Sequence, residues 1–489
     1  MRLRLLVISL LSVSFLGALD HTVVSTSLAT IAGDLGALEH MSWVVVGYTL
    51  ASTVLLPVIG KLGDAVGPRL VFVTSLVVFL GASVLCGFAQ SMTWLVIARV
   101  IQGMSSAGLQ LMSQTIIAHV TSPRERPRHM AVIGAAFPIA ILVGPVLGGL
   151  ITEYWGWQWV FWINVPVGLA ALALAIVAVP HIEAAAPRRF DVAGAAWFTA
   201  SLVALVLAVS WAGDRSSSAA VVAFVIALCA FAAFLFVELR APEPIVPLAM
   251  FADRTIAAGL ALSAIIGVGL FSVTAYLPTY FQMAYRTSVT VSGLVPIATV
   301  FGMLVSNLVT GWLASRSGRY RVFAISGTSL AAVGLLTMSL LPVGLPLWVP
   351  MIVMFAVGVG TGAFMSLIIA VVQSAVPRSE LGSATASVNL VRQVGATVTT
   401  AVIGGVIAAG VTSLLPSTVD AATLTPQLVH AASPSIQAEI AGIYTSVFAP
   451  IFVGLAITYG IGVIAAVLLP AGRLPEEQAA ARDPEPLRA

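Results

Sequence analysis

From end to end, the chain alternates between apolar runs of about twenty residues and short loops rich in Arg, Gly and Pro. A run of that length crosses bilayer hydrocarbon when it coils as an α-helix, which satisfies its own backbone polar groups there. The pattern predicts membrane helices over residues 5–29, 43–62, 70–90, 94–117, 130–151, 159–179, 192–212 and 219–238. It continues over 256–282, 289–314, 322–341, 346–372, 384–409 and 446–469, fourteen in all. Composition agrees: 59% of residues are hydrophobic and 8% charged, whereas a soluble domain carries about a quarter charged residues. The first run reaches Ala29 interrupted only by Asp20 and His21, with no small-residue cleavage site, so it is read as a retained helix and not a secretory signal. The net charge of +3 is dispersed and excludes nucleic acid as a partner. Cys86 and Cys229 lie inside apolar runs and offer neither a disulfide framework nor metal spacing, so no metal or cofactor is expected.

The basic residues orient the spans. Loops after even-numbered spans hold Lys61 and Arg69, then Arg124, Arg126 and Arg128, then Arg188 and Arg189. Further along come Arg240 and Arg254, then Arg316, Arg319 and Arg321, then Arg378. Arg2, Arg4, Arg473, Arg482 and Arg488 add the two ends, while Arg215 and Arg286 fall on the other side and Arg99 and Arg392 inside spans. By the positive-inside rule, the basic side and both termini are cytoplasmic. The aromatic run Tyr154–Trp159 then sits at the outer interface.

The chain also repeats itself. The loop Gly60-Lys-Leu-Gly-Asp-Ala-Val-Gly-Pro-Arg69 is echoed by Gly311-Trp-Leu-Ala-Ser-Arg-Ser-Gly318, Pro123-Arg124 by Pro377-Arg378, and Gly148-Gly149 by Gly404-Gly405, at a nearly constant separation. Two homologous six-helix halves follow, over 1–180 and 256–470, with two inserted helices and their loops over 181–255 and a cytoplasmic tail over 471–489. Such repeats are what rocking transporters use.

Few residues in the spans carry chemistry. Asp20 is the one carboxylate near the middle of a span. It costs several kcal/mol in hydrocarbon, so it faces the protein interior or a wet cavity, either to carry a proton or to pair with a buried Arg. Arg99, Gln102, Ser106, Gln110 and Ser113 recur at spacings of three and four and form one polar helix face. If Arg99 reaches Asp20, a conformational change that separates them loads or releases a proton. Gly144-Pro145-Val-Leu-Gly148-Gly149, with Pro138 upstream, permits close helix contact and a bend. Arg392, beside Asn389 and Gln393, binds either an anionic substrate group or a backbone carbonyl at a broken helix. Candidate cavity residues are Gln102, Ser106, Gln110, Asn164, Tyr276, Tyr280, Asn307, Asn389 and Arg392, although Tyr276 and Tyr280 suit an outer interface equally well. His21 points about 100° away from Asp20 on a helix and is not read as its relay partner. A single midplane acid predicts about one proton per cycle, and monovalent cations or neutral amphiphiles over divalent cations.

Taken together, these residues resemble a family. Leu19-Asp20-His-Thr22-Val-Val resembles the first-helix signature of the fourteen-helix drug:proton antiporters, the QacA/EmrB type within the major facilitator superfamily. Gly60 to Arg69 resembles the superfamily's loop motif, Arg99-Val-Ile-Gln102-Gly103 its fourth-helix motif, and Gly144 to Gly149 its antiporter motif. Trp159 to Gly168 and Arg392-Gln393-Val-Gly395 are also similar to this branch. Ser25, Ala29 and Ala65 depart from it, standing where Asn, Pro and a basic residue are usual. The resemblance implies an all-α major-facilitator fold in a bacterial plasma membrane, working as a monomer and driven by the proton gradient alone. It implies proton coupling at Asp20 and Arg99, and conformational control by Gly60, Asp64, Gly67 and Arg69, with Asp64 locking the halves by charge contacts. The substrate it implies is a small amphipathic compound taken from cytoplasm or membrane lipid and exported. The alternative is a dedicated exporter of one lipid, siderophore or self-made antibiotic.

Overall fold

The computed structural model describes residues 2–36, 41–182, 191–212, 217–241, Pro244, 248–342, 344–415, Val429 and 433–476. Arg188, Arg189, Arg215, Arg482 and Arg488 lie outside the described residues, as does part of the predicted outer loop. The helices are α1 (Arg2–Asp34), α2 (Met41–Val66), α3 (Pro68–Gly87), α4 (Met92–Val120), α5 (Arg126–Gly134), α6 (Ala136–Trp155), α7 (Trp159–Trp162) and α8 (Asn164–Ala178). After them come α9 (Val192–Ala212), α10 (Ser217–Glu238), α11 (Arg254–Ala284), α12 (Val289–Ser317), α13 (Arg321–Leu340), α14 (Trp348–Ser374), α15 (Leu381–Leu414) and α16 (Pro434–Leu468). Among the described residues, 12 helical spans are long and apolar enough to cross a membrane, not the fourteen expected. The other two expected spans fall on α9 and α11, whose fully described apolar stretches, Val192–Ala208 and Arg254–Gly269, are shorter.

Two spans are broken where proline dictates. Pro138 has no N–H for the carbonyl of Gly134, and the chain turns at Ala135 between α5 and α6. Pro166 leaves the carbonyl of Trp162 in the same position, and α7 gives way to α8 at Ile163. Polar side chains start other helices: Ser91 accepts from Trp94 N at α4, and Asp253 accepts from Thr255 N and Ile256 N at α11. Gly67, with φ 94, makes the sharp turn from α2 into α3 that a residue with a Cβ rarely adopts.

Helix pairing repeats between the halves. In the first, α1 packs on α6 and α8, and α4 packs on α2 and α3. In the second, α11 packs on α15 and α16, and α14 packs on α12 and α13. Glycine permits close approach at several of these contacts: Gly103 of α4 lies on the backbone of Tyr48 in α2, and Gly358 of α14 on that of Thr299 in α12. The inserted α9 and α10 pack on each other, and α9 touches α2 and α15 at the seam between the halves.

Candidate functional site

Asp20 sits inside the first half, 1% exposed, where α1, α3, α4 and α8 converge. Arg99 Nη1 donates to Asp20 Oδ2 at 2.5 Å. Gln102 Nε2 and Asn164 Nδ2 donate to Asp20 Oδ1 at 2.9 and 2.8 Å. Ser83 Oγ accepts from Gln102 at 2.7 Å and from Asn164 at 3.1 Å, and Gln102 Oε1 accepts from Arg99 at 2.8 Å. The carboxylate is thus countered by one guanidinium and fixed by two amides, the arrangement a charge needs in a dry interior.

Tyr48 forms the wall between this cluster and the central space. Its ring lies 4.1 Å from the Arg99 guanidinium carbon, and its hydroxyl donates to Ser106 Oγ at 2.7 Å and to the Gly17 carbonyl at 3.2 Å. On its far side is a cavity of about 1060 Å³ between the halves. His21, Tyr48, Gln110, Tyr276, Asn389 and Arg392 border it from the bundle, and Leu205, Val221 and Phe224 of the inserted pair wall it on one flank. Asp20 and Arg99 do not line it.

The cavity is closed at the end that carries the basic loops. Thr53 Oγ1 donates to Gln393 Oε1 at 2.5 Å and Asn389 Nδ2 to Gln114 Oε1 at 2.8 Å, forming its floor. Beneath, Asp64 caps α15: Oδ1 accepts from Gly382 N at 2.7 Å, and Oδ2 from Ser383 N and Ser383 Oγ at 2.8 Å each. Gly60 touches Gly382 and Ala386 with no room for a side chain. Across the seam, Asn307 Nδ2 donates to the Ala131 carbonyl at 2.9 Å and Arg126 Nη1 to that of Gln373 at 3.1 Å, while Gly311 abuts Pro127 and Ala131. The lining on α2 and α15 runs the other way, to Val45 and Ala408, toward the opposite end of the bundle.

A sequence model described as Major Facilitator Superfamily matches residues 10–400. The chain belongs to that superfamily. It is a membrane transporter and not an enzyme. An uncharacterised transporter of the superfamily from Mycobacterium tuberculosis is 33% identical over 461 residues, 92% of this chain and 67% of the relative. The multidrug transporter protein MdtP of Bacillus subtilis is 32% identical over 414 residues, covering 84% and 76%. The efflux pump FUS6 of Gibberella moniliformis is 31% identical over 412 residues, covering 81% and 72%. Among solved structures, the proton:xylose symporter XylE shares the fold at a TM-score of 0.62 and 15% identity, over 96% of this chain and 98% of that one.

Within this superfamily fold, the candidate residues divide among distinct places. Asp20 and Arg99 meet; Ser106, Gln110, Tyr276, Asn389 and Arg392 line the cavity. Four expected lining residues lie elsewhere. Gln102 and Asn164 face the Asp20 carboxylate because their amides are drawn to the buried charge. Tyr280 is 2% exposed among Phe281, Phe448 and Phe452, where its apolar ring packs in the second half. Asn307 is spent on the seam at the closed end. In the loop motif, Asp64 bonds backbone amides and a hydroxyl, not the opposite charge expected there, and Arg69 donates to Ile176 within its own half. Gly144 and Gly148 receive α1 at Thr22, Val23 and Thr26, whereas Pro145 and Gly149 are exposed on the other face of α6. Tyr48 and Ser83 went unread in the sequence. The signal for Tyr48 is Gly103, one turn from Arg99, which lets α2 approach closely enough to cover the arginine.

Proposed function

We propose that the chain is a proton-coupled efflux antiporter of the fourteen-helix drug:proton branch, exporting amphipathic small molecules by alternating access. The observation that carries this reading is a buried, charge-compensated Asp20 separated from a large cavity by one aromatic residue. A carboxylate held in that way is poised to trade its guanidinium partner for a proton when the wall moves. Relatives named as a multidrug transporter and an efflux pump support export over uptake. In this reading all fourteen apolar segments cross the bacterial plasma membrane, the basic-loop end and both termini are cytoplasmic, and the protein acts as a monomer on the proton gradient alone. The cavity then faces outward with its cytoplasmic gate shut.

Alternating access opens that gate and closes the outer end. Parting of α2 from α15 carries Tyr48 with it, exposing the Asp20–Arg99 pair to water. The test is transport by purified protein in liposomes, screened against cationic, neutral and acidic amphiphiles, with proton release on substrate addition. Asp20→Asn keeps an acceptor for Arg99 and should fold, retain substrate binding, and lose both proton release and proton-driven accumulation. Undiminished proton-coupled transport by this variant removes Asp20 from the mechanism.

A further inference from the structure

One charged side chain in the cavity wall has no opposite charge beside it among the described residues. Arg392, in the middle of the continuous helix α15, is 7% exposed and borders the cavity. Its Nε and Nη2 have no protein hydrogen-bond partner, and no ion pair reaches it among the described residues. The alternative role, holding a carbonyl at a helix break, finds no support: α15 is unbroken from Leu381 to Leu414, and Nε and Nη2 bond no carbonyl among the described residues. Among the described residues no Asp or Glu lines the cavity, and the buried carboxylate Asp20 is already taken by Arg99, Gln102 and Asn164. A guanidinium left uncompensated in a poorly hydrated place is costly, and an anion brought to it recovers much of that cost.

The surroundings define the rest of the ligand. One turn before Arg392, Asn389 is fixed against Gln114, making a polar floor beside the guanidinium. Leu202, Leu205, Val206, Val221 and Phe224 of the inserted pair present an apolar flank to the same space. We propose that the cavity selects amphiphiles bearing one negative charge, a carboxylate or sulfonate headgroup at Arg392 with the apolar body against α9 and α10. The planar guanidinium suits such headgroups because two of its N–H groups meet two oxygens side by side, once a change of rotamer draws it into the cavity. This assignment deepens the export reading and rests on it for the direction of transport only. It replaces the expectation of monovalent cations or neutral amphiphiles over divalent cations, which took Asp20 as the one acid able to balance a substrate's charge; Asp20 does not line the cavity.

Equilibrium binding tests it without any gradient, so failure of proton coupling and failure of this proposal are read separately. Wild-type protein in nanodiscs is titrated with dansyl-undecanoic acid, with its primary amide and with a dansyl alkylamine of equal chain length. Acetate serves as a headgroup without a body. The acid is expected to bind about ten- to a hundred-fold more tightly than the amide, with the amine weaker still and acetate failing to compete at equal concentration. Arg392→Gln should abolish the preference for acid over amide, and Arg392→Lys should restore part of it. Equal affinities for acid and amide in the wild type overturn the proposal, whatever the variants do. So does an acid preference that survives in Arg392→Gln. Competition by acetate as strong as by the full probe refutes the apolar half of the assignment.

Discussion

Asp64→Asn tests the gate at the basic-loop end. The native carboxylate accepts three hydrogen bonds from the start of α15, two of them from backbone N–H groups where the helix presents its positive end. Asparagine keeps one oxygen for Gly382 N and turns an NH2 toward the two Ser383 donors, so two charge-assisted bonds are lost. Each is worth about 1.5–3 kcal/mol when dry; Asp64 is only half-buried, so the combined loss is set at about 2–4 kcal/mol. Since those bonds join the halves in the closed gate alone, the closed-to-open ratio should fall by at least about 30-fold. Spin labels at Leu62 and Ala375, both exposed at the closed end, report the ratio as a distance distribution by double electron–electron resonance. The variant should gain a long-distance population and lose turnover, with equilibrium affinity for substrate little changed, because Asp64 lies outside the cavity. Superimposable distributions in wild type and variant would refute the reasoning, as would a large loss of affinity at an unchanged exchange rate.

Two further outcomes follow from placement alone. In a background lacking the exposed Cys229, cysteines at Ser122 and Ser317 should resist an impermeant maleimide added to intact cells while one at Ser91 reacts; labelling of Ser122 from outside would invert the proposed orientation. Gly148→Ala drives a methyl group into Thr26 and the Val23 carbonyl and should cost about 1–3 kcal/mol, whereas Gly149→Ala meets open space; equal thermal unfolding temperatures in detergent would disprove the described seating of α1 on α6.

Twelve of the fourteen expected spans were legible because bilayer thickness sets their length, and the helix pairing of the first six-helix set recurs in the second. Asp20 and Arg99 were legible as a pair of interest because lipid rejects both, but their contact spans 79 residues of sequence and depends on how α1 and α4 are rotated about their axes. That rotation is what spacing within one helix cannot supply. Gln102 shares a face with Ser106 and Gln110, yet it turns to the carboxylate while they reach the cavity, since Tyr48 of a third helix divides that face between them. Asp64 shows the same limit. A motif marks it as a contact between halves, while its partners are two backbone N–H groups and the Ser383 hydroxyl, which carry no sequence signature beyond the start of a helix.

Asp20 and Arg392 together set the electrical character of the proposed cycle. Export of a monoanion against one entering proton moves two positive charges inward, export of a neutral amphiphile moves one, and export of a monovalent cation moves none. Each charge is worth about 2.3 kcal/mol per 100 mV, so an inside-negative potential of that size drives the anion with about 4.6 kcal/mol, on the order of a thousand-fold in accumulation ratio. The acid in the mechanism and the base in the cavity therefore act in the same direction, the membrane potential expelling the anion and drawing in the proton. The measurement is accumulation in liposomes at a fixed proton gradient, with the potential stepped by potassium and valinomycin. An alkylsulfonate, which does not cross as a neutral acid, is compared with the matching sulfonamide. The logarithm of the sulfonate ratio should rise twice as steeply with potential as that of the sulfonamide. Equal slopes would mean that the two substrates leave with the same net charge, and that either the one-proton reading of Asp20 or the anion site at Arg392 is wrong; the nanodisc titration then says which.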